Sequence, residues 1–255
     1  MDAIDRFRLD DKVVLITGAS SGLGLGFAHA LATAGATLVL AARRIERLEV
    51  LAGEVRSRGT AVVTHRTDVA VQEECEELAA AAVAEFGRID VLVNNAGVGP
   101  AGSALREDPD VFRSTVDINL NGVYWMARAC APHMPSGSSI VNVASVLGSL
   151  ASPFPQAGYC ASKAGVLGLT RDLAQQWTQR RGIRVNALCP GYFGSEITNG
   201  EGAEILRTLV ANNSIMGRFG EQGELDAALI FLASPASSYM TGGSLVVDGG
   251  LSATI

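Results

Sequence analysis

Few aromatic residues, few histidines and no concentration of positive charge set the first limits on this chain. Aromatics are 5% of the 255 residues, and the three histidines, His29, His65 and His133, stand apart from one another. A metal centre needs several ligands at short, regular spacing, so no metal is expected. The four cysteines, Cys75, Cys130, Cys160 and Cys189, show no C-x-x-C spacing and read as free thiols in a reducing compartment. The formal net charge is −6, which opposes the basic stripe of a nucleic-acid-binding surface. No apolar run reaches the ~18 residues that span a bilayer, so no membrane association is expected. Residues 1–12 mix acids and bases in place of the apolar core of a signal peptide, and the cytoplasm is the expected location. No internal repeat, low-complexity segment or linker is visible, so one domain over 1–255 is expected.

What is present is an alternation of short apolar runs with helical segments. Strands are expected over 12–17, 37–42, 61–65, 89–93, 139–144, 184–188 and 244–247. Helices are expected over 25–34, from 43 to about 58, and over 72–86, 110–131, 159–180 and 221–232, with a short helical stretch at 203–210. This rhythm is that of an α/β, doubly wound parallel sheet. It breaks after Pro190-Gly191, where 192–215 is polar and reads as a lid over a substrate.

Two stretches carry chemistry. The first strand runs into Gly18-Ala19-Ser20-Ser21-Gly22-Leu23-Gly24 and then a helix. Glycines there permit a tight turn and close backbone approach, so the helix-start amides can meet a pyrophosphate. The spacing is G-x-x-x-G-x-G, and the absence of a following Gly-Lys-Ser/Thr excludes a mononucleotide P-loop. The second strand ends at Ala42-Arg43 with no acid for a ribose 2′-hydroxyl, and an arginine accommodates a 2′-phosphate, so NADP(H) is favoured over NAD(H). The second stretch is Tyr159-Cys160-Ala161-Ser162-Lys163, which a helix stacks on one face at i, i+4. An ammonium beside a phenol favours the phenolate and lowers a pKa that is ordinarily about 10, which suits acid–base work near neutrality. Ser145, a short way upstream, can hold a substrate oxygen. Cys160 reads as a small core residue rather than a nucleophile.

In order along the chain stand Gly18-x-x-x-Gly22-x-Gly24, Asp68, Asn94-Asn95-Ala96-Gly97, Asn119, Ser145, Tyr159-x-x-x-Lys163 and Pro190-Gly191. This set resembles the short-chain dehydrogenase/reductase family over essentially the full length. The resemblance implies a seven-stranded Rossmann-like sheet, a nicotinamide cofactor, and a homotetramer (or homodimer) built partly from the Tyr159 helix and the helix before it. It implies hydride transfer between cofactor and a small ketone or secondary alcohol, with Tyr159 as acid and base and Lys163 tuning it and bonding the ribose. Ser145 would orient the substrate oxygen, and Asn119 would hold a water linking Lys163 to solvent. Cofactor contacts are implied for Gly18, Ser20, Ser21, Gly22, Leu23, Gly24, Arg43, Asp68, Val69, Asn94, Ala96, Gly97, Pro190, Gly191 and Ser195, with Asp68 and Asn94 bracketing the adenine. Where the family usually has threonine, this chain has Ser195. Two other readings are carried: a reductase of 3-oxoacyl groups on acyl carrier protein, and a cofactor-sensing regulator without enzymatic activity. The regulator needs a damaged site, whereas Asn119, Ser145, Tyr159 and Lys163 are all intact. Leu147, Pro153, Phe154, Tyr192 and Ile197 suggest an apolar substrate pocket.

Overall fold

Runs of Val, Ile and Leu bounded by glycine or charge form strands because β-branched and apolar side chains pack well on a pleated surface buried on both sides. The structure, a computed structural model, describes residues 2–194 and 203–253. Its strands are β1 (Val13–Thr17), β2 (Thr37–Ala42), β3 (Val62–Arg66), β4 (Val91–Asn94), β5 (Ser139–Val143), β6 (Arg184–Pro190) and β7 (Ser244–Val247). They form one parallel seven-stranded sheet in the order β3-β2-β1-β4-β5-β6-β7.

Strand alternation divides the core into two layers. Val14, Ile16, Leu38 and Leu40 face one way, toward α1 (Gly22–Thr33), α2 (Ile45–Arg56) and α8 (Gln222–Ala233). Val13, Leu15, Val39 and Ala41 face the other, toward α3 (Gln72–Phe86) and α5 (Gly122–Cys130), and α6 (Ala157–Arg181) continues this layer over β6. The helices α4 (Pro109–Val116) and α7 (Ala203–Asn213) complete the set among the described residues. The first half of the chain winds outward to β3, then returns past β1 to β4. That reversal opens a crevice at the carboxyl ends of β1 and β4, which is where doubly wound sheets bind ligands.

Three differences from the sequence expectation have physical causes. The fourth strand begins at Val91 rather than residue 89, because Ile89 donates to the His133 carbonyl (3.3 Å) and Asp90 turns its carboxylate to the Val13 amide (3.0 Å). The Asp90 carboxylate also pairs with Arg88 and Lys12. The helix expected over 110–131 is not continuous. α4 passes into a π-helical turn, Asp117–Asn121, before α5 resumes the α-helix. The sixth strand extends to Pro190, since the Gly191 amide donates to Val247 (2.9 Å) and keeps the chain on the sheet. At the start of that strand the buried Arg184 guanidinium donates to the carbonyls of Leu232 (3.2 Å), Ser234 (3.1 Å) and Ser237 (3.0 Å). A cation thereby meets the carbonyl end of α8, where the helix dipole favours positive charge.

Candidate active site

Loops at the carboxyl ends of β1, β2, β4, β5 and β6 enclose a cleft of about 450 Å³. The first wall follows from packing around Thr17. Its hydroxyl accepts from the amides of Asn95 and Ala96 (3.1 Å each), and the Asn95 side chain donates to the carbonyls of Thr17 (3.0 Å) and Gly18 (3.2 Å). This stitches the β4 loop to the glycine loop. Gly18 has φ +67°, and a Cβ on it would lie 2.7 Å from the Ala96 Cα; one on Gly24 would lie 2.3 Å from the Gly18 carbonyl oxygen. Both positions therefore demand glycine. The first turn of α1 carries no acidic residue and no side-chain cap, and Gly22, Leu23 and Gly24 line the cleft. Uncapped amides at a helix start, reached over glycines, suit the pyrophosphate of a dinucleotide.

The rim beyond is cationic. Arg43 and Arg44 both line it, and the Arg44 guanidinium donates to the hydroxyls of Ser21 (2.6 Å) and Ser20 (3.3 Å). Asp68 and Val69 form the neighbouring edge together with Thr67. The Asp68 carboxylate accepts from the Ala70 amide (3.1 Å), while its own amide is held by Glu74 (2.7 Å). Asn94 departs from the expected placement. Its side chain points into the protein, donating to Asn142 (2.9 Å) and to the Val123 carbonyl (3.4 Å), and it does not line the cleft. Strand alternation sends Asn94 inward and leaves Asn95, Ala96 and Gly97 on the wall.

At the inner end, Ser145 stands on extended backbone just past β5, its hydroxyl accepting from the Leu147 amide (3.1 Å). Tyr159 projects toward it from the first turns of α6, and Lys163 lies one turn further, buried. The ammonium is 5.8 Å from the centre of the Tyr159 ring and donates to the Val143 carbonyl (2.8 Å). Burial pushes the Lys163 pKa down to about 8. The expected lowering of the Tyr159 pKa by Lys163 is absent in this arrangement: burial raises it, and the Ser145 hydrogen bond opposes that rise in part. The reason is geometric, because the lysine's charge is directed at a backbone carbonyl rather than at the phenol oxygen.

Asn119 sits in the π turn, fully buried, and its side chain makes a reciprocal pair with Val98, accepting from the amide and donating to the carbonyl (2.8 Å each). A further bond runs to the Ser162 hydroxyl (3.2 Å). Its amide is thus committed to protein groups and fixes the Val98 wall, where the resemblance implied a water-holding role. Single π turns inside α-helices recur at functional sites.

Comparison with known proteins decides what this cleft belongs to. A family profile described as "Enoyl-(Acyl carrier protein) reductase", of the short-chain dehydrogenase type, matches residues 18–252. The chain is 39% identical over 255 residues to galactitol 2-dehydrogenase (L-tagatose-forming) of Cereibacter sphaeroides, covering 98% of each. It is 37% identical over 246 residues to the 3-oxoacyl-acyl-carrier-protein reductase of Thermotoga maritima, covering 96% of this chain and 99% of that one. The chain belongs to the short-chain dehydrogenase/reductase family. Among solved structures, a gluconate 5-dehydrogenase from Burkholderia cenocepacia in complex with NADP and tartrate superposes with a TM-score of 0.94 at 38% identity, and the match covers 100% of both chains. Like its relatives, this dehydrogenase/reductase is a nicotinamide-dependent oxidoreductase acting between a secondary alcohol and a ketone.

Sequence reasoning on this family member passed over three residues. Asn95 staples the two cofactor-side loops, a role hidden because Asn94 and Asn95 are chemically identical neighbours. Arg44 reaches the glycine loop, although Ser21 seemed to leave that loop without positive charge. Tyr192 lines the cleft with a hydroxyl, not merely as an apolar ring. Of the other pocket candidates, Leu147 lines the main cleft and Phe154 a shallow hollow beside Cys160, while Pro153 lines neither. Ser195 and Ile197 lie outside the described residues. Cys160 is only partly buried, so it is not a core residue, and burial raises its pKa, which disfavours the thiolate. Among the described residues no group of histidines, cysteines and carboxylates is placed to hold a metal, and no helix is long and apolar enough to cross a membrane.

Proposed function

We propose that this enzyme uses NADP(H) in preference to NAD(H), and that Tyr159 is its general acid and base in the reduction of small ketones and the reverse oxidation. The observation that supports this best is the polarity of the cleft: two arginines and no acid at the end of β2, and Ser145 with Tyr159 at the opposite end. A bound nicotinamide supplies the hydride. Ser145 holds the substrate oxygen, and Tyr159 donates its proton to that oxygen in reduction and takes it back in oxidation. The Lys163 ammonium, held at the floor by the Val143 carbonyl, steadies the phenolate left behind and bonds the cofactor's ribose. Asn119 keeps the Val98 wall in place. Gly18, Ser20, Ser21, Gly22, Leu23, Gly24, Ala96, Gly97, Pro190 and Gly191 hold the cofactor by backbone and hydroxyl contacts, Asp68 and Val69 flank its adenine, and Arg43 with Arg44 meets a 2′-phosphate. The segment 192–215, with α7 inside it, is the substrate lid. The assembly is a homotetramer or homodimer in the cytoplasm, for which the exposed Val111, Phe112 and Tyr124 on α4 and α5 offer an apolar face.

The second reading, reduction of 3-oxoacyl chains on a carrier protein, has support in the reductases among the relatives. An acidic carrier needs a basic surface at the cleft mouth. Here the stretch His133-Met134-Pro135-Ser136-Gly137-Ser138 bears no formal charge, Gln175 adds none on α6, and the chain as a whole carries −6. The test compares kcat/KM for a carrier-linked 3-oxoacyl substrate, its short thioester and free ketones, with both cofactors at low salt. Free ketones reduced with NADPH at least as efficiently as the carrier-linked chain are expected. A carrier advantage of ~100-fold that collapses with added salt would promote the second reading.

A further inference from the structure

The substrate end of the cleft contains one polar group that this account of the reaction does not use. The Tyr192 hydroxyl is buried and has no hydrogen-bond partner among the described residues, although its ring lines the same cleft as Ser145, Tyr159 and Leu147. Buried hydroxyls without partners are uncommon in native proteins, and each asks for a ligand or a water to complete it. The ring is not free to swing elsewhere. Its carbonyl accepts from the Gly220 amide (3.0 Å), and the preceding Gly191 amide is tied to Val247 on β7 (2.9 Å). The ring stacks on Phe219, with centroids 6.2 Å apart and planes 26° from parallel. The next residue, Phe193, bridges to Gly220, where a Cβ would lie 2.3 Å from the Phe193 ring. A hydroxyl held this firmly and left without a partner is organised in advance for a ligand atom. Burial raises the pKa of Tyr192, and Tyr159 and Cys160 add to the rise, so it stays a neutral donor at physiological pH and shares its surroundings with Tyr159.

We propose that Tyr192 is a specificity residue that hydrogen-bonds a second oxygen of the substrate, so that the preferred substrates are hydroxyketones and the corresponding diols and polyols rather than simple ketones. This rests on the assignment of Ser145 and Tyr159 to the reacting oxygen. The remaining surface near them, including Val98, Val146 and Leu147, is apolar, so a hydrocarbon alone would leave the Tyr192 hydroxyl desolvated and unpaired. A site built to bond a hydroxyl discriminates strongly against the analogue that lacks it, because its own polar group is then left without a partner.

The experiment uses matched pairs of four- to six-carbon ketones, one member carrying a hydroxyl one or two carbons from the carbonyl and the other hydrogen. kcat/KM is measured with NADPH for the wild type and for Tyr192→Phe. The wild type should favour the hydroxylated member by at least ~10-fold for at least one pair, and Tyr192→Phe should reduce that ratio by ~10-fold or more. A ratio within one preparation cancels any loss from misfolded protein, since both substrates meet the same folded fraction. Equal kcat/KM for both members of every pair in the wild type overturns the proposal, as does a ratio that survives Tyr192→Phe. If Tyr159→Phe retains wild-type turnover while Tyr192→Phe abolishes the discrimination, the acid–base assignment fails and the second-oxygen contact stands.

Discussion

Lys163 is a buried cation whose replacement by an apolar residue should stabilise the protein while disabling it. Its pKa falls from 10.5 to about 8 in the folded chain. At about 1.36 kcal/mol per unit, retaining the ammonium in the fold at pH 7 costs about 3 kcal/mol relative to a neutral side chain of similar shape. Lys163→Met removes that cost but leaves the Val143 carbonyl without its 2.8 Å donor, a loss of about 1–2 kcal/mol. The net expectation is a gain of roughly 1–2 kcal/mol at pH 7, or about 2–8 °C in melting temperature for a chain of this size. The sign reverses the usual effect of a core substitution. Between pH ~8 and ~10.5 the unfolded chain still holds the lysine proton that the folded chain has released, so wild-type stability rises with pH through that window. The variant should lack this rise, and its advantage should shrink toward pH 10. Melting curves of cofactor-free protein from pH 7 to 10 at one protein concentration test this. A variant less stable than wild type at pH 7, or a difference that stays flat with pH, refutes the reasoning.

Three further outcomes are expected. Tyr159→Phe should lower kcat by roughly 10²-fold or more with little change in the dissociation constant for NADPH, read by fluorescence titration. Arg44→Ala and Arg43→Ala should each raise the KM for NADPH by about 5- to 20-fold while changing the KM for NADH less than 2-fold, and the wild-type KM for NADPH should rise with salt because contacts at this rim are screened. Ketone reduction should fall as pH rises through about 8, where the Lys163 ammonium is lost, and a pH–rate profile that stays flat to pH 10 would remove that group from the chemistry.

The sheet was legible because each strand is a short run of β-branched and apolar residues ending at a glycine or a charge, and such a run has few alternatives to a buried strand. The i, i+4 spacing placed Tyr159 and Lys163 on one face of α6 for the same local reason. What escaped depends on groups far apart along the chain. Nothing in Asp117-Ile118-Asn119-Leu120-Asn121 marks a π turn, since the bonds that hold Asn119 run to Val98 and Ser162. The direction of the Tyr159 shift is set by burial and by the lysine's choice of the Val143 carbonyl, neither of which spacing reveals. Whether Asn94 or Asn95 faces the cleft turns on one step of strand alternation at the end of β4, and a strand end is where pattern reading is weakest.

The π turn also makes chain length a property of the site. An α-helix advances ~100° per residue, so removing any one residue from Asp117–Asn121 could restore plain α-helix only by rotating all that follows relative to α4. The face of α5 that packs Val123, Met126, Ala127 and Cys130 inward would then turn toward solvent or drag Asn119 away from Val98. Each residue type in the turn can be exchanged one at a time, but their number cannot change. Gene variants with in-frame deletions here should therefore fail as a class, including those that leave Asn119 itself in place, whereas a substitution at the exposed side of the turn should be tolerated.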